Sequence, residues 1–131
     1  MRAVFISALC LLVLPAAAQG PPARPELLLR EVVTGLPRGE RQEIQVLTAT
    51  IAPGQSTVFH THRHPVTIYM LAGTFTLELE GQGVVTVGPG QSLVEPPQVR
   101  MTGHNRSATE PARIVIFYVS EPGAPFLDLA H

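Results

Sequence analysis

Short apolar runs recur along the chain between glycine and proline breaks, and some alternate strictly in polarity. Phe75, Leu77 and Leu79 interleave with Thr74, Thr76, Glu78 and Glu80. That period of two places successive side chains on opposite faces of a strand. The runs LLLREVV, EIQVLTATI, STVFHTH, VTIYMLAG, TFTLELEGQG, VVTVGPGQ, SLVEPP, QVRMTGHN and ARIVIFYVSE are rich in Val, Ile, Thr, Phe and Tyr. None carries the period of roughly 3.6 residues that marks an amphipathic helix. Evenly spaced strands with Gly/Pro turns predict an all-β sandwich or barrel. Thr74, Thr76, Glu78 and Glu80 are expected on the more exposed face of their strand.

The first stretch, MRAVFISALCLLVLPAAAQG, departs from this pattern, with one early arginine, an apolar run and a small-residue end at Ala16-Ala17-Ala18. This is the layout of a secretory signal peptide, with cleavage expected after Ala18 and a periplasmic or secreted mature protein. The apolar run is shorter than the roughly 20 residues that span a bilayer, so no stable membrane anchor is expected. The expected organisation is a signal peptide at 1–18, a Pro-rich linker at 19–26, a barrel at 27–121 and a C-terminal tail at 122–131. The tail is expected to pack Phe126, Leu127 or Leu129 on the barrel or on a second subunit.

Composition narrows the chemistry. The single cysteine, Cys10, lies inside the signal peptide, so the mature chain has neither a disulfide framework nor a thiolate ligand or nucleophile. Its core alone must hold it together, and about 110 residues suffice for one domain. All nine basic residues are arginine; Arg2 leaves with the signal peptide, and the remaining eight face ten acids with no basic cluster. No nucleic-acid partner is expected from such a surface. A small neutral or ionic ligand suits it better.

The histidines carry the candidate chemistry. His60, His62 and His64 occupy alternate positions in FHTHRHPV, so on a regular strand they share a face with Ser56 and Val58. His-x-His alone is a weak signal, since such pairs also occur on solvated faces. His64, just before Pro65, is expected at the rim. His104, three positions from Met101, is expected to face away from it as a surface or loop residue. Glu95, before Pro96-Pro97, reads as a solvated strand end, with a polar ligand contact at the barrel mouth as the alternative.

Residues 54–105 resemble the two motifs of the cupin superfamily of small β-barrels. Gly54, His60, His62 and Gly73 fall in register with the first, and Gly90, Pro96 and Asn105 with the second. The resemblance implies a single-domain, jelly-roll-like cupin barrel, commonly a homodimer, for which the apolar stretch at 27–33 is a candidate contact. It also implies a metal site of three histidines and one glutamate. Here the glutamate slot is Val66, the third histidine slot is Met101, and Gln98 stands where the motif has glycine. The transferable ligands are therefore His60 and His62. Met101 offers a thioether, which suits copper better than manganese or iron(II).

Three functions remain in view: a binding protein for a small molecule, a divalent or copper ion, or both; a metal-dependent oxygenase or isomerase; and a metal-free ligand-binding or sensing cavity. The export expectation has a direct test. Mature protein from the native host should begin near Gln19, and mass spectrometry finding an intact Met1 in the exported fraction would defeat it.

Overall fold

The computed structural model describes residues 20–131; the expected signal peptide and cleavage after Ala18 lie outside them. Among the described residues the chain forms nine strands and no helix: β1 (Glu43–Ile51), β2 (His60–Thr61), β3 (Val66–Ala72), β4 (Phe75–Leu79), β5 (Gly83–Val87), β6 (Ser92–Glu95), β7 (Met101–His104), β8 (Ala112–Ser120) and β9 (Asp128–Leu129). They make two antiparallel sheets, one ordered β1-β8-β3-β6 and the other β5-β4-β7-β2-β9. The all-β class expected from the alternating runs, and the jelly-roll-like barrel implied by the motif resemblance, are what is observed.

Alternation explains which side chains fill the space between the sheets. In β3, Val66, Ile68 and Met70 are buried, and their partners across β8 are Tyr118, Ile116 and Ile114. From the opposite sheet come Phe75, Leu77, Val87 and Met101. Removing one such side chain from water contributes about 1.5–3 kcal/mol, and no disulfide supplements these contacts.

Several local expectations need correction. Residues 27–33 are not a strand; Leu27, Leu28 and Val32 are exposed. β-favouring composition makes no strand without a neighbouring edge to complete its hydrogen bonds. STVFHTH reduces to the two-residue β2, and Val58 is exposed while His60 and His62 are buried, so the shared face expected of these residues breaks before β2 begins. Thr76 is buried despite its outward parity, because Thr86 of β5 and His104 of β7 flank it in register and its hydroxyl meets that of Thr86 at 3.2 Å. The C-terminal tail packs on its own barrel: β9 pairs with β2, and Asp128 receives two hydrogen bonds from the Arg63 guanidinium.

Motif residues hold the turns around the candidate site. Asn105 is buried and donates its side-chain amide to the carbonyls of Ile51 and Glu110, while its own carbonyl accepts from Gly54 N–H. Gln98 adopts φ 62°, the left-handed region that favours glycine. Its backbone N–H donates to the His62 carbonyl at 2.8 Å and its side-chain amide to the Arg63 carbonyl, which offsets the strain.

Gly73, between β3 and β4, has φ 72°, and a Cβ there would collide with the backbone of Pro111 and Ala112. Gly54 has the same φ but open space around it. Gly54→Ala should therefore cost about 1–2 kcal/mol from φ alone, and Gly73→Ala about 1–3 kcal/mol more from the collision. Urea unfolding of the two variants checks this, and equal losses would refute the packing argument.

Candidate functional site

The short β2 lies between β7 and β9, where His60 is the register partner of both Met101 and Leu129. Cross-strand partners in an antiparallel pair project to the same side. His60 and Met101 thus share the interior face, with Met101 fully buried. The site residues expected from the motif come together on the inside of the barrel, and Val66 lines the facing sheet.

Each imidazole is oriented by a backbone carbonyl. His60 Nδ1 lies 2.7 Å from the Val58 carbonyl oxygen, and His62 Nδ1 lies 2.7 Å from that of Phe126. A carbonyl only accepts, so both Nδ1 atoms carry their proton, and in the neutral ring each Nε2 presents a lone pair. The two Nε2 atoms stand 3.1 Å apart, with the rings crossed at 80°. Burial is the chief cause that lowers the pKa of His60, assisted by the neighbouring His62 and opposed by the Val58 carbonyl and Glu95. That environment keeps His60 neutral, as a metal ligand requires. Phe126 and Tyr118 pack around His62, their ring centroids 4.8 and 6.1 Å away.

Glu95 is the group the sequence reading placed wrongly. It is buried, with Oε2 3.2 Å from His62 Nε2. Its position follows from register: Leu93 pairs with Ile68 and Glu95 with Val66, so Glu95 inherits the inward face of β3's buried residues. In the sequence, the i, i+2 relation of Leu93 and Glu95 puts them on one face without saying that this face is the inward one. His60 Nε2 and the Glu95 carboxylate therefore flank His62 Nε2, an arrangement that requires a proton or a cation among them.

The family's four-ligand set does not fit here unchanged, since Val66 carries no donor. Among the described residues no three His, Cys, Asp or Glu side chains close around one point as a finished metal cage. The polar contacts run as an open chain from His60 through His62 to Glu95. The donor chemistry nevertheless fits a cation: two imidazole lone pairs and one carboxylate, with each ring's other nitrogen held by a carbonyl in the manner usual for metal ligands.

His64 is buried rather than at the rim. Its Nδ1 donates to the Gly35 carbonyl at 2.6 Å, and its Nε2 pairs with Glu121 at 2.7 Å, so it ties the N-terminal segment to the end of β8. His104 faces away from Met101 and bonds Ser56 at 2.8 Å. Among the described residues the buried Tyr118 hydroxyl has no partner in full hydrogen-bond geometry, and burial raises its pKa against the opposing influence of the nearby His64 backbone. Two surface depressions lie elsewhere, one between residues 31–34 and Pro65, Val94, Pro96 and Pro97, the other around Phe59, Glu78 and Thr102. Neither is lined by His60, His62 or Glu95.

Residues 47–118 match the family model described as the cupin domain. Among solved structures, the chain resembles an uncharacterised conserved protein with a double-stranded β-helix domain from Klebsiella pneumoniae, at 22% identity and TM-score 0.57, over 67% of this chain and 75% of that one. It also resembles the polyketide cyclase RemF from Streptomyces resistomycificus, at 24% identity and TM-score 0.56, over 67% and 61%. A third likeness is to the DMSP lyase DddQ from Ruegeria pomeroyi, at 18% identity and TM-score 0.56, over 66% and 43%. At these identities the likeness is one of fold. No curated protein matches the chain.

The His64 clasp has a pH signature. Burial alone would lower the His64 pKa, but the Gly35 carbonyl and the Glu121 carboxylate outweigh it and raise the value above 6.5; the same hydrogen bond lowers Glu121 below 4.5. The raised His64 contributes stability that is complete below its unfolded pKa and lost as pH rises through its folded one. The lowered Glu121 contributes above its unfolded pKa and loses that as pH falls through its folded one. The clasp should be strongest between those two unfolded values, and the thermal midpoint should fall as pH is raised from about 6 to about 9. His64→Gln should flatten that decline, and equally steep profiles for both proteins would remove the clasp from the account.

Proposed function

We propose that this chain, which belongs to the cupin family, is a binding protein that holds a metal ion, with or without a small ligand, at His60 and His62 inside the barrel. The observation that supports this is the convergence of two Nε2 atoms, 3.1 Å apart, on rings whose Nδ1 atoms are committed to carbonyls. Rings fixed in this way offer lone pairs without first having to be ordered. The surrounding Phe126, Tyr118 and Val66 keep the site apolar and limit the access of water. Met101, opposite His60, is the proposed sulfur donor for copper. A bound ion would supply Lewis-acid character to any small ligand beside it. The signal-like N-terminus supports a protein that acts after export, in the periplasm or outside the cell.

One observation favours a second reading, a metal-free ligand cavity: among the described residues the buried Tyr118 hydroxyl has no partner in full hydrogen-bond geometry, a donor suited to a polar ligand atom. Metal analysis separates the two. Untagged wild-type protein should retain a stoichiometric ion after dialysis, and His60→Ala should lose it. Met101→Leu, which keeps volume and removes the thioether, should weaken copper(I) about tenfold or more. An ion-free wild type would leave the metal-free cavity as the better account, and copper binding unchanged in Met101→Leu would remove the sulfur.

A further inference from the structure

Resting on the metal-ion reading of His60 and His62, we infer that Glu95 is the third ligand, so that the carboxylate absent at position 66 is supplied from the neighbouring strand. Val66 and Glu95 are register partners across β3 and β6, and such partners have Cβ atoms only about 5 Å apart. A glutamate arm entering from β6 therefore reaches the same interior space as one from β3. It does so here, because Glu95 Oε2 lies against His62 Nε2, with both side chains nearly free of solvent.

Charge and satisfaction point the same way. A carboxylate offers about four lone-pair sites, and a His62 Nε2 that keeps its lone pair fills none of them. The His60 and His62 Nε2 lone pairs face each other and the carboxylate. Burying three acceptors together is unfavourable unless a positive charge joins them. Their spacings, 3.1 Å between the two nitrogens and 3.2 Å from nitrogen to oxygen, match adjacent donors on one ion. Adjacent ligands with bonds of 2.0–2.1 Å stand roughly 3.0 Å apart in an octahedron and roughly 3.3 Å apart in a tetrahedron. A bound ion would draw in the open edge between His60 and Glu95, since the terminal glutamate torsion is soft.

The set of two imidazoles and one carboxylate selects an ion class. It suits zinc, iron(II) or manganese(II), which take nitrogen and anionic oxygen. The Met101 sulfur, on β7 beside His60, is not needed for such an ion. Glu95 is thereby a ligand and a determinant of which metals the barrel accepts.

The test titrates zinc(II) alone into untagged, metal-stripped protein, followed by calorimetry and thermal unfolding. Wild type should take one zinc per chain and unfold at a higher temperature with it. Glu95→Gln, nearly the same shape without the charge, should remain folded by circular dichroism, bind zinc about 100-fold more weakly and lose most of the zinc-dependent rise. Adding Val66→Glu to Glu95→Gln should return the carboxylate from the adjacent strand and restore binding. Zinc binding in Glu95→Gln equal to wild type, with binding lost in His60→Ala, would overturn the role of Glu95 and leave the histidine site standing. A wild type that binds no zinc, copper or manganese would overturn both. A folded double variant without zinc binding would count against the cross-strand exchange.

Discussion

The His62 imidazole meets more of the barrel than any other polar group near the candidate site. Its Nδ1–H is taken by the Phe126 carbonyl, which anchors the C-terminal tail; its Nε2 faces His60 and Glu95; and its own backbone carbonyl receives the Gln98 N–H. One residue thus joins the tail, both sheets and the turn before β7. β2 has only two residues and cannot fix this position by ladder hydrogen bonds alone. The tail pairing of β9 and the Arg63–Asp128 contact supply what the short strand lacks. Ligand geometry and C-terminal docking are consequently the same structural problem.

This dependence shapes the energetics. Burying two imidazoles and a carboxylate costs stability unless every lone pair is met, and apolar side chains of similar volume would stabilise the barrel at least as well. The rest of the interior is conventional: Ile68, Met70, Leu77 and Phe75 pack between the sheets. The barrel tolerates a polar cluster because its cost falls at one end of a core that is otherwise apolar. Binding a cation there would return part of that cost as stability, in proportion to ion concentration.

Features governed by local periodicity were legible in the sequence. The inward row Phe75, Leu77 and Leu79, the all-β class and the pairing of His60 with His62 each follow from side chains alternating along a single strand. The role of Glu95 was not legible, because its burial depends on β6 pairing with β3 in one register, and nothing local to SLVEPP reports that partner. His64 failed for a related reason: Gly35, 29 residues earlier, supplies its hydrogen bond. Residues 27–33 have strand-like composition but no partner edge, and composition does not show whether an edge is available. In each case the missing information was a long-range pairing.

The same register explains why position 66 is apolar. Val66 lies between Glu95 on one side and Tyr118 on the other, and it is completely buried. A glutamate at 66 added to the one at 95 would place two carboxylates as cross-strand partners in a dry interior, where like charges destabilise each other and one must take up a proton. The barrel therefore has room for one carboxylate in this row. Once β6 provides it, β3 is constrained to a side chain that fills space against the Tyr118 ring without charge, and valine does so. The apparent loss of a ligand at 66 and the buried acid at 95 are then two consequences of a single electrostatic limit.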